Sequence, residues 1–445
     1  MVEMLLKNGW IVTVNKDRKV IKGGAVAIDG KKIVGVGKTE EIERRFSAET
    51  TIDVGGKIIM PGIICNHAHS HGMASIGIPL PMPSDFYEIL KDWWWPFVED
   101  KLTKRDVYSM AKAFCVEMLR TGTTCVADVM EAPCDLPGVL DVEAEAFNEV
   151  GIRGVLSFEA TERISEENAE LGIQENVNFV KKWNALPDSL VRGRFCVHTV
   201  FSCSPEMLRK VRRLADEYGG GIHLHVEESK YEVEFSKKKY GKLPFEHLRD
   251  IGFLGSDVLA AQCVQTSEEE IKILKEKDVK ISHNLQSNME CGVGIAPVPK
   301  MVSEGITVGL GNDGLFMDMF ETMRTVYLVH KGVLRDSSVL PAEKVLEMAT
   351  IDGARTLGLE HEIGSIEVGK KADLIVLGLK PPAPVTAENL SYQIVAQAQG
   401  GDVETVIVDG AVLMEDGKVL SAEEEEVYPQ SIKSIYEIWR RGKLI

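Results

Sequence analysis

The chain has 445 residues, 44% of them hydrophobic and 27% charged, with a formal net charge of −17. That length exceeds one ordinary domain and can bury a large core without disulfides or structural metals. The acidic balance, with no long Lys/Arg block, argues against a nucleic-acid partner, and no apolar run is long enough to span a membrane.

The N-terminus, MVEMLLKNGWIVTV, has neither the basic start nor the apolar length of a signal peptide. Eight cysteines, at 65, 115, 125, 134, 196, 203, 263 and 291, include no CxxC pair. Several sit in apolar runs, which predicts buried reduced thiols in a cytoplasmic protein. Residues 1–60 read as short Val/Ile-rich strands broken by Gly, Asp and Asn. The pattern returns in GSIEVGKKADLIVLG and VETVIVDGAVLMEDGKVL. The two ends, 1–60 and 363–445, are expected to pair into one small β-sandwich, with a helix closing the chain. The acidic run SAEEEEVYPQ reads as the solvated start of that helix.

Between the ends, 61–362 alternates apolar strands with amphipathic helices. Eight strand candidates stand out: GIICNHAH, TTCVADV, GIRGVLSFEA, RFCVHT, GIHLHVEES, VLAAQCV, VKISHN and TVGLGND. Eight β-α units in this span predict an α/β fold, a (β/α)8 TIM barrel. A doubly wound sheet is the weaker alternative, because no GxGxxG turn follows an early strand.

In such a barrel the strand C-termini face the site. They carry His67, His69, Asp128, Glu159, His198, His225, Gln262, His283 and Asp313. A barrel interior prefers Val, Ile and Leu, so polar residues at every end point to chemistry. His67 and His69 stand two apart and share one face of a strand, where two imidazoles can hold one ion. His71 continues the spacing but falls into the loop, as a substrate-side residue. In HLHVEES, His225 lies nearest the mouth and His223 one step deeper, behind the ligands. Glu228 follows His225 by three and suits proton transfer; Glu227 is its competitor. Asp313 completes a set of three imidazoles and a carboxylate. That set suits one divalent ion, Zn2+ first and Fe2+, Mn2+ or Co2+ next. An ion held this way can lower the pKa of water to about 7.

With these residues in view, the chain resembles the amidohydrolase superfamily, in its branch of heterocycle aminohydrolases and chlorohydrolases. The matching stretches are MPGIICNHAHSH, TGTTCVADV, HLHVEES, ISHNLQSNMECGVGIAPVPKM, VGLGNDG and GSIEVGKKADLIVL. They run through nearly the whole chain. The resemblance implies hydrolytic deamination of an amino-substituted purine, pterin, pyrimidine or triazine. It makes His67, His69, His225 and Asp313 the ligands of one metal and Glu228 the proton shuttle. His198 and His283 resemble pocket-lining positions. Family habit also implies a homo-oligomer, a dimer or tetramer. The segment SDFYEILKDWWWPFVED is most similar to aminohydrolases of unassigned substrate. Its Trp93, Trp94 and Trp95 are expected to pack a lid or a subunit contact.

One position departs from the pattern. After strand six the family usually reads AHCVH; here it is AAQCVQ, with Gln262 in place of the first histidine. That histidine normally holds the attacking water. Gln262, counted with Glu228 and Asp313 among the expected catalytic residues, can hold water but cannot titrate near neutral pH. Three consequences stay open. Glu228 carries all proton transfer; or the leaving group is an easier one, such as chloride on a triazine; or binding survives without hydrolysis. The intact remainder of the motif set favours the first.

Overall fold

The computed structural model describes residues 1–445. The N-terminal strands are β1 (Val2–Val12), β2 (Val20–Asp29), β3 (Lys32–Lys38), β4 (Ala48–Asp53) and β5 (Ile58–Pro61). The barrel follows with β6 (Ile63–Ala68), β7 (Thr123–Met130), β8 (Arg153–Ala160), β9 (Val191–Gly193), β10 (Phe195–Val197), β11 (Ile222–Val226), β12 (Val258–Gln262), β13 (Lys280–His283) and β14 (Val308–Leu310). The last strands are β15 (Leu374–Leu377), β16 (Val403–Val408), β17 (Ala411–Glu415) and β18 (Lys418–Val419).

The barrel strands pair in parallel in the order β14-β13-β12-β11-β10-β8-β7-β6, with the short β9 beside β8. The expected fourth strand, RFCVHT, contains β10, and the short β9 precedes it across Arg194. Strands β6, β7, β8, β11 and β12 are buried at every residue, as a sheet covered on both faces requires. The seam between β14 and β6 closes through two backbone bonds: the Asn312 and Asp313 amides both donate to the His67 carbonyl, each at 3.1 Å. The same bonds bring Asp313 against the first histidine strand.

The helix α1 (Lys104–Arg120) shows how the layers lock. Thr103 caps its start and Asp106 returns the bond to the Thr103 amide at 2.9 Å, so two orphan end groups are satisfied. Its buried face includes Met110, Phe114 and Met118, against the barrel core. The chain ends in α2 (Glu424–Arg441), which starts at the acidic run, as the sequence predicts.

The two chain ends meet in one sheet. Its order is β18-β17-β16-β15-β5-β1-β2-β3, with β4 beside β1, and β15 from the C-terminal part runs antiparallel to β5. The expected sandwich is one continuous hydrogen-bonded sheet. Alternation decides which core each residue joins. Leu374, Val376 and Ile59 enter the sheet's own core, while Ile375, Leu377, Ile58 and Met60 pack into the barrel core.

A buried ion cluster pins the sheet to the barrel. Arg153, at the start of β8, holds Asp373 with two bonds of 2.9 and 3.0 Å and reaches Asp409 at 3.1 Å. Their side chains are 4%, 2% and 8% exposed. Arg153→Met would strand the Asp373 carboxylate away from water, while Asp409 keeps Lys31 and Lys371. It is expected to destabilise the protein by roughly 3 kcal/mol or more, read as a lowered denaturation midpoint. An unchanged midpoint would mean the cluster does not join the two layers energetically.

All eight cysteines are free, and six of them are buried. No helix is long and apolar enough to cross a membrane.

Candidate active site

Strand ends position the site, and its backbone is strained there. Glu227, Gln262, Cys263 and Asp313 all have positive φ, at 56°, 78°, 53° and 62°. Such conformations cost free energy in non-glycine residues and concentrate where function over-determines geometry. Gly314, at φ 85°, lets the chain after Asp313 pass the His69 carbonyl; a Cβ there would meet that oxygen at 2.3 Å.

The four predicted ligands converge. His67 Nε2 lies 2.8 Å from Asp313 Oδ1, and His69 Nε2 lies 3.3 Å from the same oxygen. His225 Nε2 lies 3.1 Å from His67 Nε2 and 3.4 Å from His69 Nε2. Two donors about 2.1 Å from a shared zinc ion at the tetrahedral angle stand roughly 3.4 Å apart, so the spacing suits one ion.

The outer nitrogens say which atoms are lone pairs. His69 Nδ1 donates to the Val129 carbonyl at 2.8 Å, leaving its Nε2 unprotonated in the neutral ring. His67 Nδ1 meets His223 Nε2 at 3.0 Å, so His223 sits behind the cluster, as its deeper position on β11 predicts. His225 Nδ1 lies 2.8 Å from Glu159 Oε1, bent out of line for a full hydrogen bond. Carboxylate and carbonyl partners of this kind orient ligating imidazoles. Burial holds His67 and His225 down to about 4, hence neutral. Burial also pulls on His69, but the Asp313 carboxylate outweighs it and lifts that ring to about 9. The cluster therefore favours a positive charge where these nitrogens meet the Asp313 carboxylate, either a proton on His69 or a cation in its place.

Above it opens a cavity of about 620 Å³ counted to its open mouth. His69, His225, Asp313, Glu228, Gln262, His198 and Glu159 line its polar side. Its apolar wall is built by Met82, Phe86, Ile89, Leu90, Trp93 and Trp94, most of them on the π-helical turn Ile89–Glu99. The Trp-rich segment thus forms a wall of this cavity, and Trp439 of α2 packs behind it. None of the 16 lining residues is Lys or Arg.

Glu228 is buried, and burial together with Asp313, Glu232 and Glu159 holds its carboxyl well above the usual range. Glu227 turns elsewhere, into a buried acidic group with Glu270 and Glu232, and does not line the cavity. Gln262 is held on both sides: its Nε2 donates to Asp313 Oδ2 at 3.1 Å, and its Oε1 accepts from Asn288 at 2.5 Å. Its amide therefore steadies the far oxygen of Asp313, where the expectation had it holding water. His198 lines the cavity, its Nδ1 2.7 Å from Ser202 Oγ.

Two expected substrate-side histidines lie outside the lining. His283 faces His330 at 3.0 Å, buried behind the strand. His71 is buried beside His69 and Trp94, with both ring nitrogens unpartnered. His71 lies in the turn after β6, where period-two spacing no longer sets direction, whereas His283 is still on β13 and points to the helix side, against His330. Sequence reading also missed a group beside Glu159. Glu99 and Glu131 lie with it, and Arg163 binds Glu99 at 2.9 Å and Glu131 at 2.8 Å. Only Glu159 of these carried a signal, as a strand end. Asn288 carried none.

The amidohydrolase family pattern matches residues 58–413. The chain belongs to the amidohydrolase family. Among curated amidohydrolase relatives, 5′-deoxyadenosine deaminase of Methanosarcina acetivorans is 37% identical over 99% of this chain and 100% of its own length. The 5-methylthioadenosine/S-adenosylhomocysteine deaminase of Moorella thermoacetica is 35% identical, covering 98% and 100%. Among solved structures, an adenosine deaminase from Xanthomonas campestris with bound zinc superposes with a TM-score of 0.90. It is 25% identical and covers 99% of both chains.

Proposed function

We propose that this amidohydrolase is a metal-dependent aminohydrolase that replaces the exocyclic amine of an adenine nucleoside with oxygen. One observation carries the reading: three imidazole nitrogens and the Asp313 carboxylate meet at one point beneath a cavity that also holds Glu228. The relatives that cover the full chain are named for adenine nucleosides, which narrows the ring class.

His67, His69, His225 and Asp313 would hold one divalent ion, with zinc the first choice for this donor set. Such an ion acidifies water and stabilises negative charge developing on the ring. The remaining work falls to side chains. Glu228 accepts a proton from the attacking water and returns it to the leaving amine. A carboxyl lifted above its usual range can do both near neutral pH. Gln262 holds Asp313 in register. His198 faces the ring from the neighbouring strand end, beside His225. The apolar wall keeps bulk water out.

The lining also selects. With no Lys or Arg in the cavity and with Glu99, Glu159 and Glu228 present, a phosphate would find no partner. The 5′ position should therefore be uncharged, as in a deoxy or methylthio nucleoside. The test is ammonia release from adenosine, 5′-deoxyadenosine, methylthioadenosine and AMP by the metal-loaded chain. Turnover of the neutral nucleosides, with AMP at least about tenfold slower, is expected from the cost of burying an unpaired charge. Preference for AMP, or no ammonia from any of the four, would sink the proposal.

A further inference from the structure

At the opposite, N-terminal end of the barrel lies a second cleft, of about 1180 Å³ counted to its open mouth. It is lined by the segments that precede β10, β11 and β12, together with Arg355–Leu359. Three guanidiniums line it: Arg192, Arg194 and Arg355. In a chain of net charge −17 that concentration is unusual.

Arg192 binds Glu362 through one nitrogen at 2.7 Å, and Arg355 binds Asp352 through one nitrogen at 2.6 Å. Both keep further donors and stand partly exposed. Arg194 differs. It is 4% exposed, and its Nη2 donates only to the backbone carbonyls of Asp257 and Ile222, at 2.5 and 3.4 Å. Its Nε has no partner. The carboxylate of Asp257 is taken by Arg212, through bonds of 2.9 and 2.6 Å. Burial lowers Arg194 to about 10, so it stays charged at neutral pH.

A buried guanidinium that shares its nearest carboxylate, Asp257, with Arg212 carries a poorly compensated charge, and an oxyanion in the cleft is the group that balances it. Gly221 is cut to allow the arrangement: a Cβ there would meet the Asp257 carbonyl at 2.6 Å and Arg194 Nη2 at 3.1 Å. Structural clamping of the barrel floor accounts for the two carbonyl bonds of Arg194. It does not account for two more arginines around the same opening. Trp183, Leu186 and Leu357 supply apolar surface beside them, enough for the carbon part of a small ester.

We propose that this cleft is a binding site for a phosphate-type oxyanion, free or as a small phosphate ester, remote from the metal cluster. It stands independently of the catalytic reading. The test uses the full chain with inorganic phosphate and with ribose 5-phosphate, followed by calorimetry and by the shift in unfolding temperature. Saturable binding is expected, weakened about tenfold or more by Arg194→Met and by the double change Arg192→Gln/Arg355→Gln. The latter pair is partly exposed and should fold even if the first variant does not. His225→Ala should bind the anion as the parent does. Equal affinity for both probes assigns a free anion, and a clear gain for the ester assigns an esterified one. No saturable binding of either probe would overturn the proposal. So would binding that survives the arginine changes or disappears in His225→Ala.

Discussion

Glu228→Gln is expected to cut ammonia release by roughly 10²- to 10⁴-fold, the usual worth of a positioned general acid–base. The change is close to isosteric. It removes proton transfer and keeps the volume and most of the hydrogen-bonding capacity. Glu228 is buried, and its carboxyl sits well above the ordinary range, chiefly through burial and then through Asp313. Replacing it with a neutral amide removes a group that resists ionisation there, so folding should not suffer. The decisive comparison is turnover beside ion content and unfolding midpoint. Loss of turnover with the other two intact is the expected result. A variant that still turns over at the parent rate would take Glu228 out of the mechanism, and Gln262 offers no titratable replacement.

The second large effect is loss of the ion. His225→Ala leaves two imidazoles and one carboxylate, and a site short of one strong donor should lose the ion on dilution or dialysis. Turnover should fall to background, as it should when a chelator strips the parent protein. Restoring Zn2+ should rescue the stripped parent and not the variant. The fold is expected to survive the change. The Glu159 carboxyl beside His225 is held well above the usual carboxylate range, first by burial and then by Glu131, so little charge is stranded when the ring goes. Elemental analysis per chain is the direct measure. A His225→Ala protein that retains one ion and full activity would refute the four-residue centre.

Much of this site was legible from strand periodicity. Two-residue spacing puts His67 and His69 on one face, and the depth of His223 below His225 follows from the same alternation. The barrel itself followed from eight apolar strands separated by amphipathic helices. Periodicity stops where a strand stops. His71 lies past that limit, in the turn after β6, and His283 ends β13 but points to the helix side, so neither lines the cavity. Gln262 shows the limit of such reading: its place on β12 follows from the strand, and its contacts do not. Its position beside the centre followed from β12, but its bond to Asp313 depends on Asn288, 26 residues away, which fixes the amide from the other side.

By itself the sequence determined the element types, the barrel class, the strand-end residues and the donor chemistry, because each rests on local spacing and side-chain identity. Tertiary structure alone decided which distant groups touch. It joined the two chain ends into a single sheet through β5 and β15, placed Glu159 behind His225, turned Glu227 into a separate acidic group, and left Arg194 to share its nearest carboxylate with Arg212. These contacts depend on how strands separated by tens to hundreds of residues register against one another, and register is set by packing of the whole core.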